Sequence, residues 1–303
     1  MESVSPPTIS AENGAKPPTA NPIKPRVPFI LKLLRFGFQV GGRVSPAITG
    51  RIAYALWFRP TRFKVPATEQ KFIKSATTER IEMAPHNIAI YVWGDSGPSV
   101  LLVHGWSGRG SQLGAFAKPL LDAGFRVISF DAPAHGSSSG KHTNIYEIAD
   151  VIVGLQTHYG IFNSVITHSF GGPSTALAMK RGFKTKRVVC LSPPATTRKL
   201  VEKFLVALHI PKKAGQNMMQ RFETEFSRQI WDEVSMVNSV QDLAIPGLLI
   251  HDSGDEDVPW QEGQAVAEAW TNARFVKTSG LGHRRILRDK AVIESAVRFI
   301  SEA

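Results

Sequence analysis

The chain has 303 residues, 43% of them hydrophobic, which is enough to bury one sizeable core with room for an inserted or appended subdomain. Its single cysteine, Cys190, excludes an internal disulfide framework, so nothing requires an oxidising compartment. The formal net charge of +11 is uneven: residues 1–78 carry 12 Lys and Arg against 3 Asp and Glu, and the rest carry 24 against 22. Because the excess positive charge lies mostly in this N-terminal part and no nucleic-acid-binding motif accompanies it, we expect no nucleic-acid partner.

Residues 1–28 contain seven prolines and are predicted to form a disordered or extended leader. They lack a basic segment followed by an apolar one, so we expect no secretory signal and a cytoplasmic location. Residues 29–78 are predicted to form a basic helical arm, because apolar residues recur at helical spacing with Lys32 and Arg35 between them. This arm could pack on the following domain and cover its active-site mouth. Alternatively, residues 29–64 could contact a membrane surface, since the segment is amphipathic, cationic and aromatic.

From residue 79 to 303 the pattern predicts one α/β domain. Alternating residues at 79–83 and 88–93 predict an antiparallel hairpin, and the apolar run 99–103 predicts a strand buried on both faces. Strands and helices then alternate, which is typical of βαβ units and a mostly parallel sheet. The predicted strands lie at 126–130, 164–167, 187–191, 247–251 and 274–278, and the predicted helices at 111–123, 145–158, 173–181, 262–270 and 291–300. An insertion at about 195–239 contains two amphipathic helices and no strand.

The segment SVITHSFGGPST, residues 164–175, predicts a nucleophile elbow. A buried strand, a very tight turn and a helix follow one another, which would expose the hydroxyl of Ser169 at the apex of the turn. Gly171 supplies the small residue that the pattern needs two positions after the nucleophile. Thr167 stands where glycine is usual two positions before it, so we expect a local adjustment of the turn there. An ordinary βα turn is the alternative interpretation of this segment.

An activated serine needs a base, a group that orients the base, and donors for the oxyanion, and candidates for each follow successive strands. The backbone N–H groups of Trp106 and Phe170 are the predicted oxyanion donors. His283, which follows two glycines in the loop after residue 278, is the predicted base. Three aspartates compete as the acid after the strand at 247–251. Asp255 is preferred because it follows a Ser-Gly turn and lies three residues before Val258-Pro259, which lead into the next helix, with Asp257 second and Asp252 third.

Together these motifs resemble the α/β-hydrolase superfamily over residues 79–303, in particular bacterial serine hydrolases of the esterase and lipase-like group. The segments that carry the resemblance are HGW at 104–106, FDAPAHG at 130–136, THSFGG at 167–172, HDSGDEDVP at 251–259 and GLGH at 280–283. It implies the α/β-hydrolase fold: an eight-stranded, mostly parallel sheet flanked by helices, with a helical cap after the sixth strand, where the insertion at 195–239 falls. It also implies a Ser-His-Asp triad, in the order Ser169, Asp255, His283, that uses no cofactor or metal.

This chain departs from the family pattern at two positions, where Thr167 and Ala134 stand in place of the family's usual glycines. Neither change removes a reacting group. Serine rather than aspartate at position 169 argues against the dehalogenase and epoxide-hydrolase branches. We therefore expect hydrolysis of a small-molecule acyl ester through an acyl-enzyme intermediate. Thioester cleavage, carbon–carbon bond hydrolysis and perhydrolysis use the same triad and stay open, as does a non-catalytic binding module.

Overall fold

A mostly parallel β-sheet forms the centre of the computed structural model, which describes residues 8–9 and 28–302. Its strands are β1 (Thr8–Ile9), β2 (Thr77–Met83), β3 (His86–Trp93), β4 (Ser99–Val103), β5 (Arg126–Phe130), β6 (Phe162–His168), β7 (Thr185–Leu191), β8 (Gly247–Asp252) and β9 (Ala273–Thr278). Their spatial order is β1-β9-β8-β7-β6-β4-β5-β3-β2. The β2–β3 and β3–β5 pairs are antiparallel and the others are parallel.

Strands β2 to β9 confirm the predicted eight-stranded, mostly parallel sheet, and β1 adds two residues at its edge beside β9. The leader predicted at 1–28 otherwise lies outside the described residues, apart from Pro28. The hairpin predicted at 79–93 is the β2–β3 pair.

Helices cover both faces of the sheet. They are α1 (Phe29–Val44), α2 (Pro46–Trp57), α3 (Ala67–Ser75), α4 (Ala117–Asp122), α5 (Ile145–Tyr159), α6 (Gly171–Lys180), α7 (Thr197–Ala207), α8 (Lys212–Glu225), α9 (Ile230–Glu233), α10 (Met236–Val240), α11 (Trp260–Ala269), α12 (Gly282–Arg285) and α13 (Lys290–Ser301). Among the residues that the structure describes, no helix combines the length and apolarity needed to cross a bilayer.

The buried strands explain why helices must lie on both sides. In β4, Leu101 and Val103 belong to the core that contains Ile152 of α5, whereas Val100 and Leu102 belong to the core that contains Phe299 of α13. Successive side chains of a strand point to opposite faces, so an uninterrupted apolar run needs a cover on each face.

Two segments differ from the sequence prediction. The helix predicted at 111–123 begins as a 3-10 turn at Gly110–Phe116 and becomes α-helical only at Ala117, because two glycines weaken the α-helix in its first half. Helix α3 lies within the predicted helical arm at 29–78, but no separate helix was predicted at 67–75, since its large apolar residues, Phe72 and Ile73, are neighbours and give no helical stripe.

The N-terminal helices pack on the insertion between β7 and β8, which consists of α7 to α10. Helix α2 approaches α8 so closely that a Cβ on Gly50 would lie 2.7 Å from the carbonyl oxygen of Ala214. The hydroxyl of Tyr54 donates a hydrogen bond of 2.7 Å to Glu225. The structure therefore shows the arm packed on the domain, which is the first of the two interpretations that the sequence left open.

Candidate active site

Ser169 lies in the sharp turn between β6 and α6, with a left-handed φ of 50°. This conformation costs a non-glycine residue about 1–2 kcal/mol. A Cβ on Gly171 would lie 2.5 Å from the carbonyl oxygen of Val103, so glycine is required two positions after the serine. The Ser169 N–H donates to the carbonyl of Leu191 at 2.9 Å, which ties the turn to β7. Sequence and geometry thus agree on a nucleophile elbow at this position.

Thr167, the residue in place of the usual glycine, is buried in β6. Its hydroxyl donates to the carbonyl of Val189 at 3.4 Å. The ladder between β6 and β7 continues through Thr167 and His168 without a break. The expected adjustment is therefore absent from the strand pairing, because the side chain is accommodated against β7.

His283 and Asp255 form the closest acid–base pair of the site. The Nδ1 atom of His283 lies 2.7 Å from Oδ2 of Asp255, whose side chain is fully buried. The other carboxylate oxygen, Oδ1, accepts the backbone N–H groups of Asp257 and Val258 at 2.9 and 2.8 Å. Burial alone would raise the pKa of Asp255, but the hydrogen bonds from His251 and His283 outweigh it and hold the pKa far below its usual value. Asp255 is therefore ionised beside an imidazole that it can orient.

Asp252, the third-ranked aspartate, is buried and holds the histidine loop in place. Its carboxylate accepts the backbone N–H groups of Gly282 and Leu281 at 2.8 and 3.0 Å and the hydroxyl of Thr278 at 2.8 Å. Burial would raise the pKa of Asp252, but these hydrogen bonds outweigh it and lower the pKa. Asp252 thus fixes the backbone that carries His283 instead of contacting the imidazole.

Asp257, the second-ranked aspartate, is exposed. Its carboxylate lies 4.0 Å from the guanidinium of Arg284, and the backbone N–H of Asp257 donates to Asp255. Among the described residues, Asp255 is the only one of the three candidate aspartates whose carboxylate contacts the His283 imidazole.

The loop after β4 contacts the serine directly. A Cβ on Gly105 would lie 2.9 Å from the Cβ of Ser169, so this loop passes against the elbow with no room for a side chain. The next residue is Trp106. Within residues 28–302, neither the Trp106 N–H nor the Phe170 N–H donates a hydrogen bond to another group. Both predicted oxyanion donors are therefore free to bind a ligand.

Two buried histidines hold this loop, and the sequence analysis assigned them no role. Nε2 of His104 accepts the Ala132 N–H at 2.9 Å, and Nε2 of His135 accepts the Ser107 N–H at 3.0 Å. Burial lowers the pKa of His104 to about 4, and burial with the nearby His104 lowers that of His135 to about 3. Both rings are therefore neutral acceptors at neutral pH. His135 belongs to the FDAPAHG motif, so the sequence could have marked it as a site residue. Its partner, the Ser107 N–H, could not be predicted because it depends on how the two loops pack together.

His168, the residue before the serine, is also buried. Its Nε2–H donates to the carbonyl oxygen of His283 at 2.9 Å, and its Nδ1 has no partner among the described residues. Burial, followed by the charge of His283, lowers the pKa of His168 to about 3. His168 thus anchors the main chain of the predicted base as a neutral ring.

A cavity of about 490 Å³ is lined by both Ser169 and His283. The oxyanion loop and residues of the N-terminal arm, among them Phe63 and Lys64, form other parts of its wall. Trp57, the last residue of α2, stacks on Trp106 with ring centroids 6.0 Å apart and an interplanar angle of 12°. The arm therefore forms part of the site, as in the interpretation in which it covers the active-site mouth.

A buried ion pair joins α3 to the same region. Nε of Arg109 lies 2.6 Å from Oε2 of Glu69, and both side chains are almost fully buried. The hydroxyl of Ser111 donates to the same carboxylate at 3.0 Å. Such long-range pairs have no local sequence signal. Within residues 28–302, no three His, Cys, Asp or Glu side chains converge in a way that could hold a metal ion.

The chain was compared with known families, curated proteins and solved structures. Residues 100–295 match the alpha/beta hydrolase family. No curated protein is similar enough in sequence to be matched. Among solved structures, the alpha/beta hydrolase domain-containing protein 10 from mouse is 18% identical, with a TM-score of 0.59. The alignment covers 74% of this chain and 97% of the mouse chain.

Two further solved structures have the same fold at low identity. A bacterial membrane phospholipase A is 14% identical, with a TM-score of 0.58 over 89% of this chain and 98% of that one. The thioesterase domain from the curacin biosynthetic pathway is 16% identical, with a TM-score of 0.55 over 75% and 99%. These identities establish the fold alone. Because the family match spans more than half of the chain and agrees with its fold, the chain belongs to the alpha/beta hydrolase family.

Proposed function

We propose that this protein hydrolyses carboxylic esters through an acyl-enzyme intermediate on Ser169. The observation that carries the proposal is the 2.7 Å contact between His283 and the buried, ionised Asp255, at a cavity that Ser169 also lines. A serine in a left-handed elbow, an imidazole and a carboxylate that orients it are the components that nucleophilic acyl transfer requires.

In the proposed first half-reaction, Nε2 of His283 takes the proton of the Ser169 hydroxyl as its oxygen attacks the ester carbonyl. Asp255 keeps Nδ1 protonated and stabilises the imidazolium that forms. The N–H groups of Trp106 and Phe170 bind the tetrahedral oxyanion, and each donor contributes about 3 kcal/mol to lowering the barrier. The imidazolium then gives its proton to the leaving alcohol.

In the second half-reaction, His283 takes a proton from water, which attacks the acyl group on Ser169. The same oxyanion donors act again, and collapse of the intermediate breaks the bond to the Ser169 oxygen, which takes the proton back from His283 as the carboxylic acid leaves. A thioester would pass through the same two steps, with a thiol as the leaving group.

The charges around the cavity favour substrates that carry a negative group. Lys64, Arg109, Arg284 and Arg288 contribute four cations to the lining, against two acids, Asp257 and Glu69. Asp257 is exposed and lies 4.0 Å from Arg284, and the buried Glu69 lies 2.6 Å from Arg109 and 3.6 Å from Arg288, so the lining keeps an excess of positive charge. An anionic group that reaches the mouth of the cavity would therefore be attracted there.

The proposal is tested with p-nitrophenyl esters of increasing acyl length and with acyl thioesters. Purified wild-type protein, Ser169→Ala and the matched control Ser96→Ala, a serine in an exposed loop, are compared. Replacing the nucleophile is expected to reduce turnover by roughly 10⁴- to 10⁶-fold, while the control keeps the wild-type rate. Retention of most of the ester turnover by Ser169→Ala would overturn the proposal, and folded wild-type protein that turns over none of these esters and thioesters would favour a binding module.

A further inference from the structure

Helix α1 points its most apolar face away from the protein. Phe38 and Gly42 are buried against the rest of the protein. The large apolar side chains on the opposite face of the helix, about 180° away around its axis, are exposed. A surface helix of a globular protein normally has the opposite arrangement, with its apolar stripe turned inward. Packing among the described residues therefore does not explain the exposed stripe.

The following helix, α2, also exposes apolar residues. We call the whole surface the α1–α2 outer face, and its apolar members are 42–81% exposed: Phe29, Ile30, Leu33, Phe36, Val40, Val44, Ile48 and Ile52. Single exposed apolar residues are ordinary, but a set of this size on two consecutive helices is typical of a binding surface.

The charges of the same segment have one sign. Residues 28–68 contain seven Lys and Arg and no Asp or Glu. Lys32 and Arg43 lie along one border of the apolar stripe, as the helical spacing requires. Within the described part of the chain, neither they nor Arg51, Arg59 and Lys64 have a carboxylate within ion-pair distance.

Charge complementarity decides what can cover this face. A second copy would bring further cations and no acid from this segment against the same face, and like charges repel. Residues 10–27 carry Lys16, Lys24 and Arg26 against one acid, Glu12, so they cannot neutralise the face either. The partner must therefore offer apolar contact together with dense negative charge, and an anionic lipid bilayer supplies both.

We propose that the α1–α2 outer face docks the protein on anionic bilayers, with its apolar side chains in the boundary between headgroups and acyl chains and its cations against the lipid headgroups. This interaction is separate from ester hydrolysis. The α1–α2 outer face is held in a fixed position relative to the catalytic cavity. Helix α2 ends at Trp57, which stacks on Trp106, and the exposed Phe63 lines the cavity. Docking would hold the catalytic cavity close to the membrane surface.

The test is cosedimentation of the full-length protein with vesicles of phosphatidylcholine, alone or mixed with phosphatidylglycerol. Ser169→Ala is used as background so that lipid turnover cannot confuse the readout. Binding is expected with the anionic vesicles, with much less on phosphatidylcholine alone, and it should weaken as salt is raised.

Ile30→Glu combined with Ile48→Glu is expected to weaken binding at least about tenfold, since each change removes apolar contact and adds a repelled charge. The matched control is Ile161→Glu, because Ile161 is 65% exposed in a distant loop and Ile30 is 72% exposed. The control should bind within about twofold of the parent. In the wild-type background, the double variant should keep the turnover of a short-chain ester, which shows that it is folded.

Three outcomes would overturn the proposal. One is absence of vesicle binding, or equal binding to both vesicle types. Another is an equal loss in the Ile161→Glu control. The third is a dimer in solution that the double variant converts to a monomer, which would assign the face to a second copy of the chain. Because the assay uses Ser169→Ala, its result does not depend on whether the protein is an esterase.

Discussion

Three buried histidines near the site, His104, His135 and His168, should make the stability of the protein depend on pH below about pH 6.5, above the range in which carboxylates usually titrate. His104 and His135 accept backbone N–H groups through Nε2, and His168 has a buried Nδ1 with no partner in the described residues. A proton on any of these nitrogens would remove an acceptor or place an uncompensated charge in the interior. The neutral ring is therefore the folded form in each case.

The expected magnitude follows from the pKa values. These are lowered from about 6.5 to about 4 for His104 and to about 3 for His135 and His168, chiefly by burial. Between these values and pH 6.5, the unfolded chain binds a proton at each histidine and the folded chain does not. Stability therefore falls as the pH falls, by about 1.4 kcal/mol per pH unit for each ring and about 4 kcal/mol per unit for three. The loss between pH 6.5 and 5 is about 6 kcal/mol. A domain at the lower end of the usual range of about 5–15 kcal/mol would therefore approach unfolding near pH 5.

The measurement is urea denaturation at pH 7, 6 and 5 at constant ionic strength. The free energy of unfolding should fall steeply below pH 6.5. In His135→Gln the slope should decrease by about a third, whatever the absolute stability of that variant. His158→Gln is the control, because the His158 side chain is exposed. A free energy that changes by less than about 1 kcal/mol between pH 6 and 5, or a control that lowers the slope as much as His135→Gln, would refute the reasoning.

The remaining predictions concern the acid, the arm and the cavity mouth. Asp255→Asn should lower kcat for ester hydrolysis by about 10³- to 10⁴-fold, whereas Asp257→Asn should lower it less than about threefold; similar losses in both would contradict the assignment of the acid. Trp57→Ala removes the stacking on Trp106 and should lower the free energy of unfolding by about 1–3 kcal/mol, measured by urea denaturation; an unchanged value would show that the arm does not support the site. Arg284→Gln should reduce kcat/KM for a p-nitrophenyl hemisuccinate by about threefold to tenfold with little effect on the butyrate ester, and equal effects on both would remove the argument for anionic substrates.

Most of the sheet could be predicted because its strands are apolar runs bounded by turn residues. The run at 99–103 and the segment at 164–167 have no polar face, which distinguishes buried parallel strands from surface hairpins. The elbow could be recognised because Gly171 marks the place where the backbone at the end of β4 approaches too closely for a side chain. At such positions the local sequence alone is enough to predict the structure.

The assignment of the acid needed the structure. Asp252, Asp255 and Asp257 lie in one short loop, and the sequence orders them only by their distance from the turn. Their roles separate because Asp252 points at the backbone of the histidine loop, Asp255 points at the imidazole, and Asp257 points at solvent. Side-chain direction in a loop depends on its tertiary contacts, and these have no local pattern.

The arm illustrates the same limit on a larger scale. Its amphipathic spacing predicts helices but does not say which face turns inward, and here Phe38 and Gly42 are buried while the more apolar side is exposed. The Glu69–Arg109 pair could not be predicted, because a buried ion pair between residues 40 positions apart depends only on the three-dimensional fold.

The most direct test of the central claim is labelling by a fluorophosphonate probe, which reacts with a serine only when a neighbouring base activates it. The folded wild-type protein should be labelled at one residue, Ser169, identified by mass spectrometry of the digested protein. Labelling should disappear in Ser169→Ala, in His283→Ala and in heat-denatured protein. An unlabelled folded wild-type protein, or a label on another serine, would contradict the assignment of Ser169 as the nucleophile.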